Sequence, residues 1–351
     1  VAEEGQTAAP VDTTDPAAEA RRRRWARLKT VGRALLFVVG VGAVVGLILD
    51  AGADEVWSTL VRAGVWLPLV MLCEIGFAAM DVVSLRLMYG ERGRSVPATV
   101  WLHSGMMAYG IMVLLPAGRA GGEVMRAASM APYIGGPRAA AGATVLQGVT
   151  LWGNTLISIP CYVAVALASG PTELLALLVA GNGLVTGVVG SLLLFGARMS
   201  KLGGWLGRRI KALAGHGARF DESLREMPSM PVLPIGAAFL GRAFQSVQYG
   251  IILVAVGGAL TVQSGLVAQG IHLVGAGFGD MVPNQVGITE GAYRLFAANL
   301  GLQDAVAQAI AIALVHRVCQ FALAGTCLAV GAFWKPASDA AAPVAGSGEP
   351  A

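Results

Sequence analysis

The sequence predicts an all-α polytopic membrane protein, with about six spanning helices and two re-entrant helical hairpins in an inverted repeat. Three observations predict it. First, apolar residues make up 55% of the 351 positions and charged ones only 13%, about half the charge of a soluble domain. Second, the chain nearly repeats itself. Leu67-Pro68 opens an apolar segment leading to Pro116, Glu123 and Arg126, and Leu233-Pro234 opens another leading to Pro283, Glu290 and Arg294. The two proline-to-proline spacings differ by one residue, and each glutamate stands at the seventh position after its proline. Third, basic residues gather between 198 and 230, which sets the sidedness of the spans. A duplicated unit in so apolar a chain is the pattern of transporters built from two repeats around a central site.

The elements follow in order. Residues 1–30 read as a disordered basic tail, ending in Arg21-Arg22-Arg23-Arg24, Arg27 and Lys29. The transmembrane domain covers 31–333. Its first apolar run, 31–49, is read as a retained helix with a cytoplasmic N-terminus, because no clean small-residue cleavage site follows it. Repeat one, about 65–168, holds a helix over 65–89, a hairpin built from 97–117 and 121–130, and a helix over 139–168. A span over 173–197 comes next. The section 198–230 carries Lys201, Arg208, Arg209, Lys211, Arg219 and Arg225 and is closed by Pro228 and Pro231. Repeat two, about 232–330, has a helix over 232–256, a hairpin built from 264–282 and 288–299, and a helix over 303–330. Residues 334–351 read as a second disordered tail.

Charge decides the topology. If 97–117 crossed the membrane alone, the basic section 198–230 would emerge outside, against the positive-inside rule. If 97–130 enters and returns, the section is cytoplasmic, lying against anionic headgroups. Repeat one then begins outside and repeat two inside, so the repeats are inverted. Irregular backbone at membrane depth is tolerated where it lines a wet cavity, and two opposed hairpin tips would form one.

The tips hold the candidate binding residues. In the first, Pro116 ends one helix, and a short helix starting near Gly122 aims its free N–H groups at the tip, with Glu123 and Arg126 following. The bland alternative is a simple Glu123–Arg126 pair at i,i+3. In the second, Pro283, Asn284 and Gly287 form the turn, Thr289 caps the next helix, and Glu290 and Arg294 can pair at i,i+4. Ionisable groups at this depth are costly and face a cavity or one another.

Pro116, Gly122-Glu123 and Arg126, with Pro283, Gly287, Glu290 and then Arg317, resemble the flippase-like membrane domain of lysylphosphatidylglycerol synthases over about residues 30–333. The resemblance implies movement of a lipid or lipid-linked headgroup between leaflets, in what would be a bacterial inner membrane. Membrane lipids with anionic or phosphate-bearing headgroups are the expected ligands, and lipid-biosynthesis enzymes the expected protein partners. The family often has a Glu-Arg pair where this chain has Gln147-Gly148. The aminoacyl-transfer domain of the synthases is not expected here, and that activity is not carried over.

Other polar residues have two readings each. Arg242 and Arg317 either neutralise a lipid phosphate with their donor forks or snorkel and pair with carboxylates. Glu74 and Asp81 share a helix face and are partners for Arg126 or Arg242, or else proton carriers. Asp280 stands just before the second tip, in reach of Arg294. Glu123 and Glu290 are the first candidates for carrying protons. His103 and His272 occupy matching places in the hairpins and read as hydrogen-bonded packing residues. Cys73, Cys161, Cys319 and Cys327 lack metal or redox spacing. Trp57, Trp66, Trp101 and Trp334 fall at span ends, as interface anchors do.

No cofactor or nucleic acid is expected, and the chain has no GxxxxGK[ST] phosphate loop. A lipid-modifying enzyme would need a nucleophile or metal cluster that the sequence does not suggest. A non-transporting partner of a lipid-modifying complex is the remaining alternative.

Overall fold

The computed structural model describes residues 52–114, 118–196, 217–279, 285–302 and 305–334, with isolated positions at 42, 45, 46, 48, 49 and 199. Among the described residues every regular element is helical. They contain five helices long and apolar enough to cross a membrane, and the chain is an all-α polytopic membrane protein. The predicted N-terminal tail, the C-terminal one beyond Trp334 and nearly all of the first apolar run, 31–49, lie outside the described residues.

Helix α1 (Ala53–Ala63) runs through one 3-10 turn into α2 (Leu67–Met88), so this span begins well before residue 65. After the short α3 (Gly90–Ser95) come α4 (Ala98–Leu114) and α5 (Gly118–Ile134), packed as the first hairpin. Helices α6 (Gly136–Ser169) and α7 (Leu174–Ser191, continued as π-helix to Gly196) pack together. Helix α8 (Gly217–Glu226) is the described part of the basic section. The second unit has α9 (Val232–Ala255), the hairpin α10 (Val262–Gly279) with α11 (Ile288–Leu295), and α12 (Ala305–Phe333). At 1.5 Å per residue α11 is about 12 Å long, far short of the roughly 30 Å hydrocarbon core. Helices α4 and α5 reach about 26 Å. These lengths fit hairpins that enter and return.

The two opening helices lie side by side and antiparallel. The Ser84 hydroxyl near the end of α2 donates to the Pro234 carbonyl near the start of α9, at 2.9 Å. The Gln248 amide near the end of α9 donates to the Val70 carbonyl near the start of α2, at 3.1 Å. Small residues permit this approach: a Cβ on Gly76 would stand 3.0 Å from the Phe244 ring, and one on Gly241 would stand 3.2 Å from Met80. Corresponding helices running in opposite senses are what an inverted repeat requires.

The rest of the packing obeys the same exchange of units. Helix α4 packs on α12 as α10 packs on α6, α5 on α6 as α11 on α12, and α2 on α12 as α9 on α6. One apolar core joins the start of α4 and the end of α5 to the C-terminal end of α2. Another joins α10 and the segment from Tyr293 to Leu300 to the N-terminal part of α2. The hairpins therefore dock at opposite ends of the α2–α9 seam.

Trp57 is 68% exposed and Trp66 lies at the exposed end of its turn, as anchors do. Trp101 departs from that expectation. It is buried, and its indole N–H donates to the Gly93 carbonyl at 3.1 Å, closing the loop between α3 and α4. All four cysteines are free and buried.

Inversion predicts a labelling pattern. Single cysteines at exposed Arg92, before the first hairpin, and at exposed Leu260, before the second, should react with an impermeant maleimide from opposite faces of intact cells and inverted vesicles. Reaction of both from one face would reject the inverted arrangement.

Candidate functional site

Each unit has a carboxylate–guanidinium pair with one member on its second hairpin helix, the partner coming from the opening helix α2 in unit one and from the closing helix α12 in unit two. In unit one, Arg126 on α5 donates from Nη2 to Asp81 Oδ2 on α2 at 2.5 Å, with Glu123 Oε2 3.7 Å from Nε. Arg126 is 3% exposed. The i,i+3 contact is thus the minor part of the pairing, and Asp81 is the main partner. In unit two the charges change places. Glu290 lies on the hairpin helix α11, and Arg317 reaches it from α12, donating from Nε to Oε1 at 2.7 Å.

Glu290 is fully buried and closely held. Its Oε2 accepts the Gly287 backbone N–H at 2.9 Å and the Thr289 hydroxyl at 3.0 Å, while Arg317 Nη2 donates to the Thr289 oxygen at 2.8 Å. Gly287 has φ 84, a left-handed conformation that glycine adopts without a Cβ clash. Gln285 shares this left-handed geometry at φ 57, a conformation that costs a residue with a side chain about 1 kcal/mol or more. The start of α11 is therefore closed by its own carboxylate, in half of a capping box.

Three expectations need correction. Glu290 takes Arg317 as its partner, whereas Arg294 lies on the exposed side of α11. Gly122 is not at a helix start, because α5 begins at Gly118. Its role is close approach: a Cβ there would stand 2.8 Å from the Ala108 carbonyl oxygen of α4. Arg242 does not snorkel; it is buried, donates to Gln245 Oε1 at 2.6 Å and stacks over the Phe77 ring, 4.9 Å from its centre. Pro116, Pro283, Asn284 and Asp280 lie outside the described residues.

Sequence spacing did not reveal what surrounds the second pair. Beside Arg317 opens a small polar cleft whose walls include Tyr249, His272, Gln285, Thr289, His316 and Gln320, with room for roughly one water. The Tyr249 ring centre is 5.2 Å from His272 and 5.0 Å from His316, and the two imidazoles are 5.3 Å apart, edge to face. His316 Nδ1 lies 3.1 Å from the Tyr249 hydroxyl. Behind it stands Glu74, fully buried, with Oε2 3.4 Å from His316 Nε2. Glu74 accepts the Tyr109 hydroxyl at 2.6 Å and the Gln248 amide at 2.9 Å. Asp81 pairs with Arg126, as expected, and Glu74 meets a histidine, His316. His103 behaves as a packing residue, its Nε2 lying 3.0 Å from the Gly331 carbonyl. Among the described residues no three His, Cys, Asp or Glu side chains gather as metal ligands.

Gly148, where unit one lacks the counterpart of Arg317, has a packing function. A Cβ there would lie 2.9 Å from Leu194 and 3.2 Å from the Gly190 carbonyl, so the position docks α6 against the helix α7 and its π-helical end.

Compared with known proteins, the chain matches no family model, no curated protein and no solved structure.

Removing one partner of a buried ion pair strands the other charge, at about 3–5 kcal/mol. Glu290→Gln should lower the unfolding temperature in detergent by a loss of that order, and Glu290→Gln with Arg317→Met should recover part of it. Equal losses in the single and double variants would show that the pair is not the source.

Proposed function

We propose that the protein is a lipid translocase, carrying a phosphate-bearing headgroup through the polar region between the hairpins while the acyl chains stay in the bilayer. The observation that carries this reading is Arg317. It is an intramembrane guanidinium held against Glu290 by a breakable hairpin cap, and it lines a polar cleft on α12. Guanidinium presents a planar donor fork that suits phosphate as well as carboxylate. A headgroup phosphate could thus replace Glu290 at Arg317 with no net loss of charge pairing.

The inverted units support the reading, since two units related by antiparallel packing can rock against each other and open one site to each face in turn. The motif resemblance to the synthases' flippase-like domain agrees with it. On this reading the N-terminus is cytoplasmic, the membrane is a bacterial inner membrane, and lipid-synthesising enzymes are the natural partners. Substrate contacts are assigned to Arg317 and Thr289 at the second hairpin, with Arg126 at the first and Arg242 behind the seam.

The test is reconstitution into vesicles of phosphatidylcholine and phosphatidylglycerol carrying trace NBD-phosphatidylglycerol in both leaflets. With protein, dithionite should bleach nearly all the dye, and without it about half. A charge-assisted hydrogen bond contributes about 1.5–3 kcal/mol, so Arg317→Gln should slow the protein-dependent phase about tenfold or more. No difference from empty vesicles, for this and several other headgroups, would reject translocation. A chemically altered lipid would point to an enzyme instead.

A further inference from the structure

We infer that the Glu74–His316 pair is the proton-binding site that couples translocation to a transmembrane proton gradient. The inference rests on the translocase reading above.

Charge neutrality within the fold leads to it. Glu74 is fully buried on α2, within an apolar helix long enough to cross a membrane. Two of its contacts, the Tyr109 hydroxyl and the Gln248 amide, are neutral donors. The third is His316, at 3.4 Å, close enough for an ion pair yet off the axis of a formed hydrogen bond. Such a pair is electrically neutral only with one shared proton, either as carboxylate with imidazolium or as carboxylic acid with imidazole. The transfer balances simply. The Nε2–H proton passes to Glu74 Oε2, the imidazole keeps its ring electrons, and no other group changes. A second proton makes the pair cationic, and loss of the first makes it anionic. Either change is expensive in lipid and is tolerated where water reaches the pair.

His316 is also the member of the pair that lines the cleft. The Tyr249 hydroxyl at Nδ1 serves both protonation states, donating to the neutral ring and accepting from imidazolium. A proton can therefore enter from the cleft and be stored at Glu74.

The surrounding charges give the coupling its sense. On α12 itself, Arg317 is the next residue and is already matched by Glu290 from α11, while Cys319 lies two residues beyond. From α9, Arg242 sits over Phe77, and Tyr249 contacts the ring. From α10 comes His272, from α11 Tyr293, from α4 Tyr109, and Cys73 adjoins Glu74 on α2. An anionic headgroup that takes the place of Glu290 at Arg317 leaves that carboxylate without its guanidinium, a negative charge to be offset. The second proton, taken by the neighbouring pair, removes it. Headgroup and proton then cross together. Glu290, held in the closed state by a guanidinium, a backbone N–H and a hydroxyl, is the anion that the headgroup displaces from Arg317, and the mobile proton sits at Glu74 and His316.

The vesicles described above test this with a pH gradient imposed, and with valinomycin and equal potassium clamping the potential. NBD-phosphatidylglycerol should accumulate in the leaflet facing the alkaline side, and reversing the gradient should reverse the asymmetry. Glu74→Gln and His316→Gln should each abolish the gradient-driven asymmetry. Glu226→Gln, at the surface pair with Arg138, should keep it. A wild-type protein that moves the probe to the same distribution at every gradient overturns the proton inference and leaves translocation standing. Asymmetry that persists in both pair variants overturns the assignment to Glu74 and His316. No movement at any gradient rejects translocation and this inference with it. Should one variant fail to fold, the other variant and the wild-type gradient response still decide.

Discussion

The antiparallel seam between α2 and α9 is the contact on which the rest of the molecule is arranged. In lipid no water is available to satisfy backbone groups, so helices must pack closely and pair their polar atoms with one another. The seam does both. Gly76 and Gly241 let the backbones approach, and Ser84 and Gln248 tie its two ends. Because the paired helices correspond in the two units, fixing them antiparallel sends each hairpin to the opposite end. The separate apolar cores at the two ends follow from that geometry. Glu74 sits on this seam, held by Gln248 from the facing helix, so the buried carboxylate belongs to both units at once.

Symmetry of packing does not extend to charge. Unit one holds its guanidinium on the hairpin and its carboxylate on α2, while unit two holds the carboxylate on the hairpin and the guanidinium on α12. Each solution leaves a matched pair, as burial demands. They differ in what moves with the hairpin. A shift of α5 draws Arg126 away from Asp81, and a shift of α11 draws Glu290 away from Arg317 and uncovers that guanidinium. Gly148 supplies the reason that unit one has no second arginine at this depth. Its position is taken up by the close contact with Gly190, which docks an additional helix that unit two does not show among the described residues. The polar cleft accordingly lies beside the second pair.

Much of this arrangement was legible in the sequence, for physical reasons. Apolar runs of membrane length report the order of the five described spans directly, since lipid tolerates little else. The repeated proline and glutamate flank the helix pairs α4–α5 and α10–α11, although the prolines themselves lie outside the described residues. The partners of those glutamates were harder to find. An i,i+4 spacing suggested Arg294 for Glu290, yet α11 turns Arg294 to its exposed side and α12 supplies Arg317. Gly122 looked like a helix start because glycine serves turns, whereas here it serves close approach to Ala108. The Glu74–His316 contact joins residues in different units, and no local periodicity encodes it. It is visible only once α2, α9 and α12 are placed side by side.

The narrowness of the cleft bears on how such a site could operate. Room for roughly one water cannot hold a headgroup, so on the translocase reading the hairpin α10–α11 must move away from α12. That motion would break the Arg317–Glu290 contact, and an unpaired guanidinium in lipid is costly. A phosphate arriving at Arg317 removes that cost and makes the open state accessible. A hydrophobic molecule without an anion cannot do so, however well its chains fit the membrane. The ion pair would then act as a lock whose key is charge. Selectivity for anionic headgroups would come from the closed state, through the electrostatic cost of opening it without a replacement for Glu290.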